Sequence, residues 1–155
     1  MTITASDFIR FCERTIDGTE SAFCRLDDES VNERPDLPGA NSPFVLVTHA
    51  LGAFDWWVGH VVCGHPSDRD RAAEFTATGS VADLHGLVAA SRRRLRDLAP
   101  EIETATRLHR EPHLQNPLPG GWTVGAALIH AYEELAQHLG HLEITVDLVE
   151  IGGRA

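Results

Sequence analysis

The segment from Ser42 to Gly64 constrains the fold more than any other part of the chain. Ser42 is a good helix cap and Pro43 suits the first helical position. The residues that follow are apolar nearly all round a helical wheel, with His49 and Asp55 as exceptions and His60 near the end. A helix that is apolar on every side has to be buried on every side, so this segment reads as the central helix of a bundle. Asp55 and His60 interrupt it, which leaves no apolar run of the roughly 18 residues that a membrane span needs.

Three further helices fit around it. Thr4 to Leu26 carries Phe8, Phe11, Cys12, Ile16, Ala22, Phe23 and Leu26 at broadly helical spacing, with Gly18 as a weak point. A polar loop with Pro35, Pro38 and Gly39 follows it. Ser80 caps a helix from Val81 to about Ala99, whose inward face is Leu84, Leu87, Val88, Ser91, Leu95 and Leu98; Pro100 helps to end it. The connection before it contains Asp68-Arg69-Asp70-Arg71, which suits a short helical turn. Glu101 to Trp122, with Pro112, Pro117, Pro119, Gly120 and Gly121, reads as a long irregular passage across one end of the bundle. The last helix runs from a Thr123 cap to about Val149, with Gly152 and Gly153 as its stop. No segment carries a strand pattern, so the expectation is one all-α four-helix-bundle domain over residues 1–155, with room for a long crossover. Its topology is left open.

The 155 residues carry 23 acidic and 13 basic side chains, a net charge of −10 with histidines neutral. That balance speaks against a nucleic-acid partner, which needs clustered cations. The one basic cluster, Arg92-Arg93-Arg94 with Arg96, reads as a solvated face late in its helix. Every basic residue is arginine, a bias that a GC-rich genome explains. Cys12 and Cys24 share one predicted helix and would stand about 18 Å apart, too far for a disulfide. The three cysteines therefore read as small buried residues of a reducing compartment, with Cys63 near a pocket as the minor alternative. The N-terminus lacks a basic-then-apolar signal pattern, and the expected location is cytoplasmic, away from membranes.

The chemistry gathers on the last helix. With His130 at zero, Glu134, His138 and His141 fall at roughly 40°, 80° and 20° round the axis. Ala127, Leu128, Ala131, Leu135, Leu142 and Ile144 are expected to bury part of the same helix, so these polar groups need partners. Glu134 and His138, spaced i,i+4, are able to grip one ion. His49, amid the apolar second helix, is the natural third ligand, because metal sites in bundles draw on facing helices. His60 is about 16 Å along the helix from His49 and cannot share that ion. Two imidazoles, one carboxylate and an open position make a catalytic-type site for zinc, with nickel and iron(II) as alternatives. His130 and His141 would orient ligands or substrate, or His141 would add a fourth ligand. Trp56 and Trp57 are candidate cavity walls as well as plain core residues.

Three stretches carry a family resemblance: Thr48 to Trp57, Glu74 to Leu84, and Glu133 to Leu142. They resemble the DinB-like superfamily, in the branch of mycothiol-dependent maleylpyruvate isomerase and related thiol transferases. The resemblance implies a four-helix bundle with one divalent metal at its centre, held by a histidine of the second helix and a glutamate and histidine spaced i,i+4 on the last. By position these are His49, Glu134 and His138. The isomerase carries an additional C-terminal domain, and this chain ends near residue 155, so a single-domain transferase is the expectation. Mycothiol or a similar thiol is then the cosubstrate and a small electrophile the substrate. Arg94 and Arg110 are candidates for holding a carboxylate of either. A homodimer follows by analogy. A metal-dependent small-molecule hydrolase and a non-catalytic, stress-related metal-binding bundle are the alternatives. No individual catalytic residue is assigned.

Overall fold

The computed structural model describes residues 3–112 and 118–153; Pro117 lies outside them. Helix α1 spans Ala5–Phe23, α2 Pro43–Asp55, α3 Arg71–Glu74, α4 Val81–Thr104 and α5 Val124–Gly152. A single 3₁₀ turn, Ser30–Asn32, lies in the first connection. The fold is all-α, and no strand occurs among the described residues.

Local chemistry sets the helix starts. Thr4 with Asp7, and Ser80 with Asp83, form reciprocal capping boxes on α1 and α4. The hydroxyls of Ser42 and Thr123 accept from Val45 N and Ala126 N, and Pro43 occupies the first turn of α2. Asp70, within the expected turn, caps α3 instead of joining it.

Two elements depart from the sequence expectation. Pro100 does not end α4, which continues to Thr104. Leu95, Leu98 and Ile102 extend the buried stripe past it, and Pro100 itself is exposed. Packing of that stripe outweighs the roughly 3 kcal/mol that an interior proline costs. The arginine cluster therefore lies mid-helix, and Arg92 is half-buried between Asp17 and Glu20, each 2.6 Å away, instead of on a solvated face. The second departure is at the end of α2, which runs on as a π-helix from Trp56 to Val62.

Helix α1 packs against α4 and α5, and so does α2. Consecutive long helices α1 and α2, and again α4 and α5, thus sit across the bundle diagonal. The segment Pro43–Val62 has the length and the mean hydropathy, 1.2, of a membrane span, against the sequence reading. Its burial accounts for that composition, with 72% of the most apolar window inside the bundle. Phe54, Val58, Val61, Leu84, Leu95, Leu135 and Leu142 fill the centre. The last connection crosses the end of the π segment, where His109 N and Arg110 N donate to Val61 O. Gly64 sits there with φ +79°, and the His109 ring occupies the space a Cβ would take.

Candidate metal centre

His49 projects from α2 toward α5, where Glu134 and His138 stand one turn apart. One ligand atom from each of the three lies within 4.8 Å of the others. His49 is 7% exposed, and Glu134 and His138 are half-buried. The rings of His49 and His138 meet edge to face at 4.9 Å. Nε2 of His138 stands 3.5 Å from Oε2 of Glu134.

His49 is held from behind. Its Nδ1 lies 2.7 Å from Oε2 of Glu74, which is buried in α3. Arg69 clamps the same carboxylate, with Nε 2.5 Å from Oε1 and Nη2 2.8 Å from Oε2. The carboxylate, oriented by the bidentate guanidinium, is placed to accept the Nδ1 hydrogen of His49. That leaves Nε2 as the free nitrogen. Gly52, one turn along α2, makes room: a Cβ there would stand 2.6 Å from Oε1 of Glu74.

The protonation states suit a cation. Burial pushes the pKa of His49 below the ordinary imidazole value, against the pull of Glu74, which favours neutral imidazole at pH 7. The hydrogen bond with His138 lowers the pKa of Glu134, against the opposing effect of burial, and the charges of His130 and His138 lower it further. A neutral imidazole and an ionised carboxylate are ligand forms. Nδ1 of His138 is buried without a hydrogen-bond partner, so this face leaves an imidazole nitrogen unsatisfied. The two nitrogens and one oxygen match the donor set of an open zinc-type site.

His130 and His141 have different surroundings. Nε2 of His130 is 3.4 Å from Oε1 of Glu134, and its ring packs edge to face on Trp57 at 4.6 Å. It is placed to brace the carboxylate. His141 is exposed, its ring centroid 6.4 Å from that of His138, and it stays outside the three-residue cluster. It shares the stripe in angle, but it stands most of a turn further along the axis.

A cavity of about 360 Å³ opens beside the cluster, lined by His49, Glu134, Trp56, Trp57, Arg69 and Arg71 among others. Both candidate wall tryptophans therefore border it, and Trp57 is also a core residue at 3% exposure. Trp122, from the end of the last connection, packs on Trp57 at 4.8 Å. Arg94 does not reach this cleft. It lies against Gly59, lining a separate cavity with Asp55 and His65. Arg110 is exposed in the crossing loop. Cys63 lines another small cavity with Glu101 and His109, and burial raises its thiol to about 11. Cys24 is exposed, against the expectation that all three cysteines are buried.

Sequence reasoning missed Glu74 and Arg69 as site residues. The only signal was Glu74 at the start of the second resembling stretch. Nothing in its local pattern marks a buried carboxylate.

No curated protein matches the chain. A solved structure, described as the conserved protein of locus from Enterococcus faecalis, is 17% identical to it. The match covers 97% of this chain and 99% of that one, with a TM-score of 0.66. At that identity the likeness speaks to the fold, and it agrees with the DinB-like all-α bundle expected from the sequence. The model of the mycothiol-S-transferase family matches residues 7–149, and on that span the protein belongs to this family.

Proposed function

We propose that the protein is a divalent-metal-dependent S-transferase, joining a low-molecular-weight thiol such as mycothiol to a small electrophile. The observation that carries this reading is the convergence of His49, Glu134 and His138 beside an open cleft, in a chain of this family. Zinc is the proposed ion, because two imidazoles, one carboxylate and a vacant side form the usual catalytic zinc environment.

When bound, such a cation supplies Lewis acidity that favours the thiolate form of a thiol. The chain's own residues do the rest. Arg69 and Glu74 fix the tautomer and ring plane of His49. His130 and His138 hold the Glu134 carboxylate ionised. Trp56 and Trp57 form an apolar part of the cleft wall, and Trp122 packs on Trp57. In the reaction the thiol loses its proton to solvent, sulfur bonds to the electrophilic carbon, and the leaving group departs with the bond's electrons.

A net charge of −10 fits a small-molecule substrate better than a nucleic acid, and a cytoplasmic setting without membrane attachment fits a thiol cosubstrate. A homodimer is the proposed assembly, with Ile129, Ile144 and Ile151 as exposed apolar residues on α5 that an interface would cover.

The test is a panel of thiols with an activated aryl chloride, run before and after chelation. Conjugation that needs both a thiol and the metal is expected. An equal rate after chelation would remove the proposed mechanism, and turnover of an ester without thiol would identify a hydrolase instead.

A further inference from the structure

Two arginines line the cleft, and they are in different states. Arg69 is committed to both oxygens of Glu74. Arg71, the first residue of α3, is exposed, and its guanidinium stands over the ring of Phe75 at 5.1 Å. Every Asp and Glu side chain of the chain lies among the described residues, and none pairs with it. Arg10, Arg25 and Arg92, by contrast, each meet a carboxylate.

Phe75 in turn packs on the His49 ring at 4.8 Å. Arg71 is thus one aromatic ring away from the candidate metal centre. Trp56 and Trp57, paired edge to face at 5.1 Å, border the same cavity. The cavity therefore has the candidate metal centre at one end, aromatic side chains along it and an unpaired cation at its rim.

We infer that Arg71 is the anion anchor of the cleft, and that the electrophile is a small acid: a flat molecule with a carboxylate at one end. This deepens the transferase reading and rests on it for the word electrophile; the preference for an acid rests on Arg71 itself. The guanidinium fork matches a carboxylate with two parallel hydrogen bonds. Phe75 beneath the guanidinium limits the orientations it takes. When a divalent cation and a thiolate occupy the centre, their charges and that of Glu134 cancel, so Arg71 remains the unpaired cation of the cleft; it draws the acid group to the rim and directs the reacting carbon inward. The aromatic side chains favour an apolar, planar body between the two ends.

The experiment measures binding first and turnover second. Quenching of the tryptophan fluorescence reports affinity for 3-nitrobenzoate and for its neutral analogue 3-nitrobenzamide, with zinc-loaded protein. The acid is expected to bind about tenfold more tightly than the amide. Arg71→Gln is expected to bring that ratio close to one, Arg71→Lys to restore part of it, and added salt to reduce it. A ratio near one in the unmodified protein, or a ratio unchanged in Arg71→Gln, overturns the inference and leaves Arg71 as a cover for Phe75 only.

Turnover of 4-chloro-3-nitrobenzoate and its carboxamide with thiol then separates the two readings. The acid's advantage is expected in KM and not in kcat. Acid binding through Arg71 with no conjugation at all sinks the transferase reading and keeps the anchor. Equal conjugation of acid and amide, unaffected by Arg71→Gln, sinks the anchor and keeps the transferase.

Discussion

Nδ1 of His49 stands 2.7 Å from Oε2 of Glu74, and both side chains are buried. The pair links α2 to the short helix α3 and fixes which nitrogen of His49 faces α5. Arg69 completes it by holding the carboxylate from the other side. The candidate metal centre thus has a rigid support that its three ligand candidates alone would lack.

Glu74→Gln keeps the shape but removes the charge that favours a donating Nδ1. Affinity for zinc should fall about 10-fold to 100-fold, the usual effect of losing a ligand's supporting carboxylate. Competition with a coloured chelator measures it, and circular dichroism checks that the helices remain. Unchanged affinity would show that the Glu74 contact does not orient His49.

Gly52→Ala tests the space in front of that carboxylate. In an ordinary helix the change would stabilise by about 1 kcal/mol. Here the new Cβ would come within 2.6 Å of Oε1, which Arg69 holds, on a carboxylate whose other oxygen is held by His49. The expected sign is therefore reversed, with a loss of about 1–3 kcal/mol in chemical denaturation. A gain in stability would mean that Glu74 moves aside freely.

Asp55 gives a pH-dependent prediction. Burial raises its pKa to about 6, against the opposing charge of Arg94, and one of its oxygens has no partner. The unfolded chain ionises it near 3.8. Between those values the native state retains a proton that the unfolded state has lost, so stability falls as pH rises across this window. Asp55→Asn carries no such penalty. It should be more stable than the parent by about 1–3 kcal/mol at pH 7, with the difference gone below about pH 4. Urea titrations at the two pH values measure this; a variant less stable at pH 7 would show that the ionised carboxylate has a favourable partner.

The parts of this molecule that follow from helical periodicity were readable in advance. His49 sits in a segment too apolar to be anything but central, and Glu134 and His138 face it because i,i+4 spacing puts them on one stripe. The caps Thr4, Ser42, Ser80 and Thr123 are local chemistry and appear where their sequence context places them. Glu74 and Arg69 were not readable, because their burial depends on α3 folding back over α2, a long-range event that no local pattern encodes. Pro100 misled for the related reason that tertiary packing of Ile102 outweighs a local breaker. The π-helix from Trp56 to Val62 has no distinctive composition, and its backbone shift re-aims side chains that an ideal α-helical wheel places elsewhere.

Metal content tests the central claim most directly. The protein is incubated with zinc, passed through a desalting column, and analysed for bound metal beside His138→Ala and His141→Ala. About one ion per chain is predicted for the parent and for His141→Ala, and none for His138→Ala. A full complement in His138→Ala, or none in the parent, would contradict the centre built from His49, Glu134 and His138.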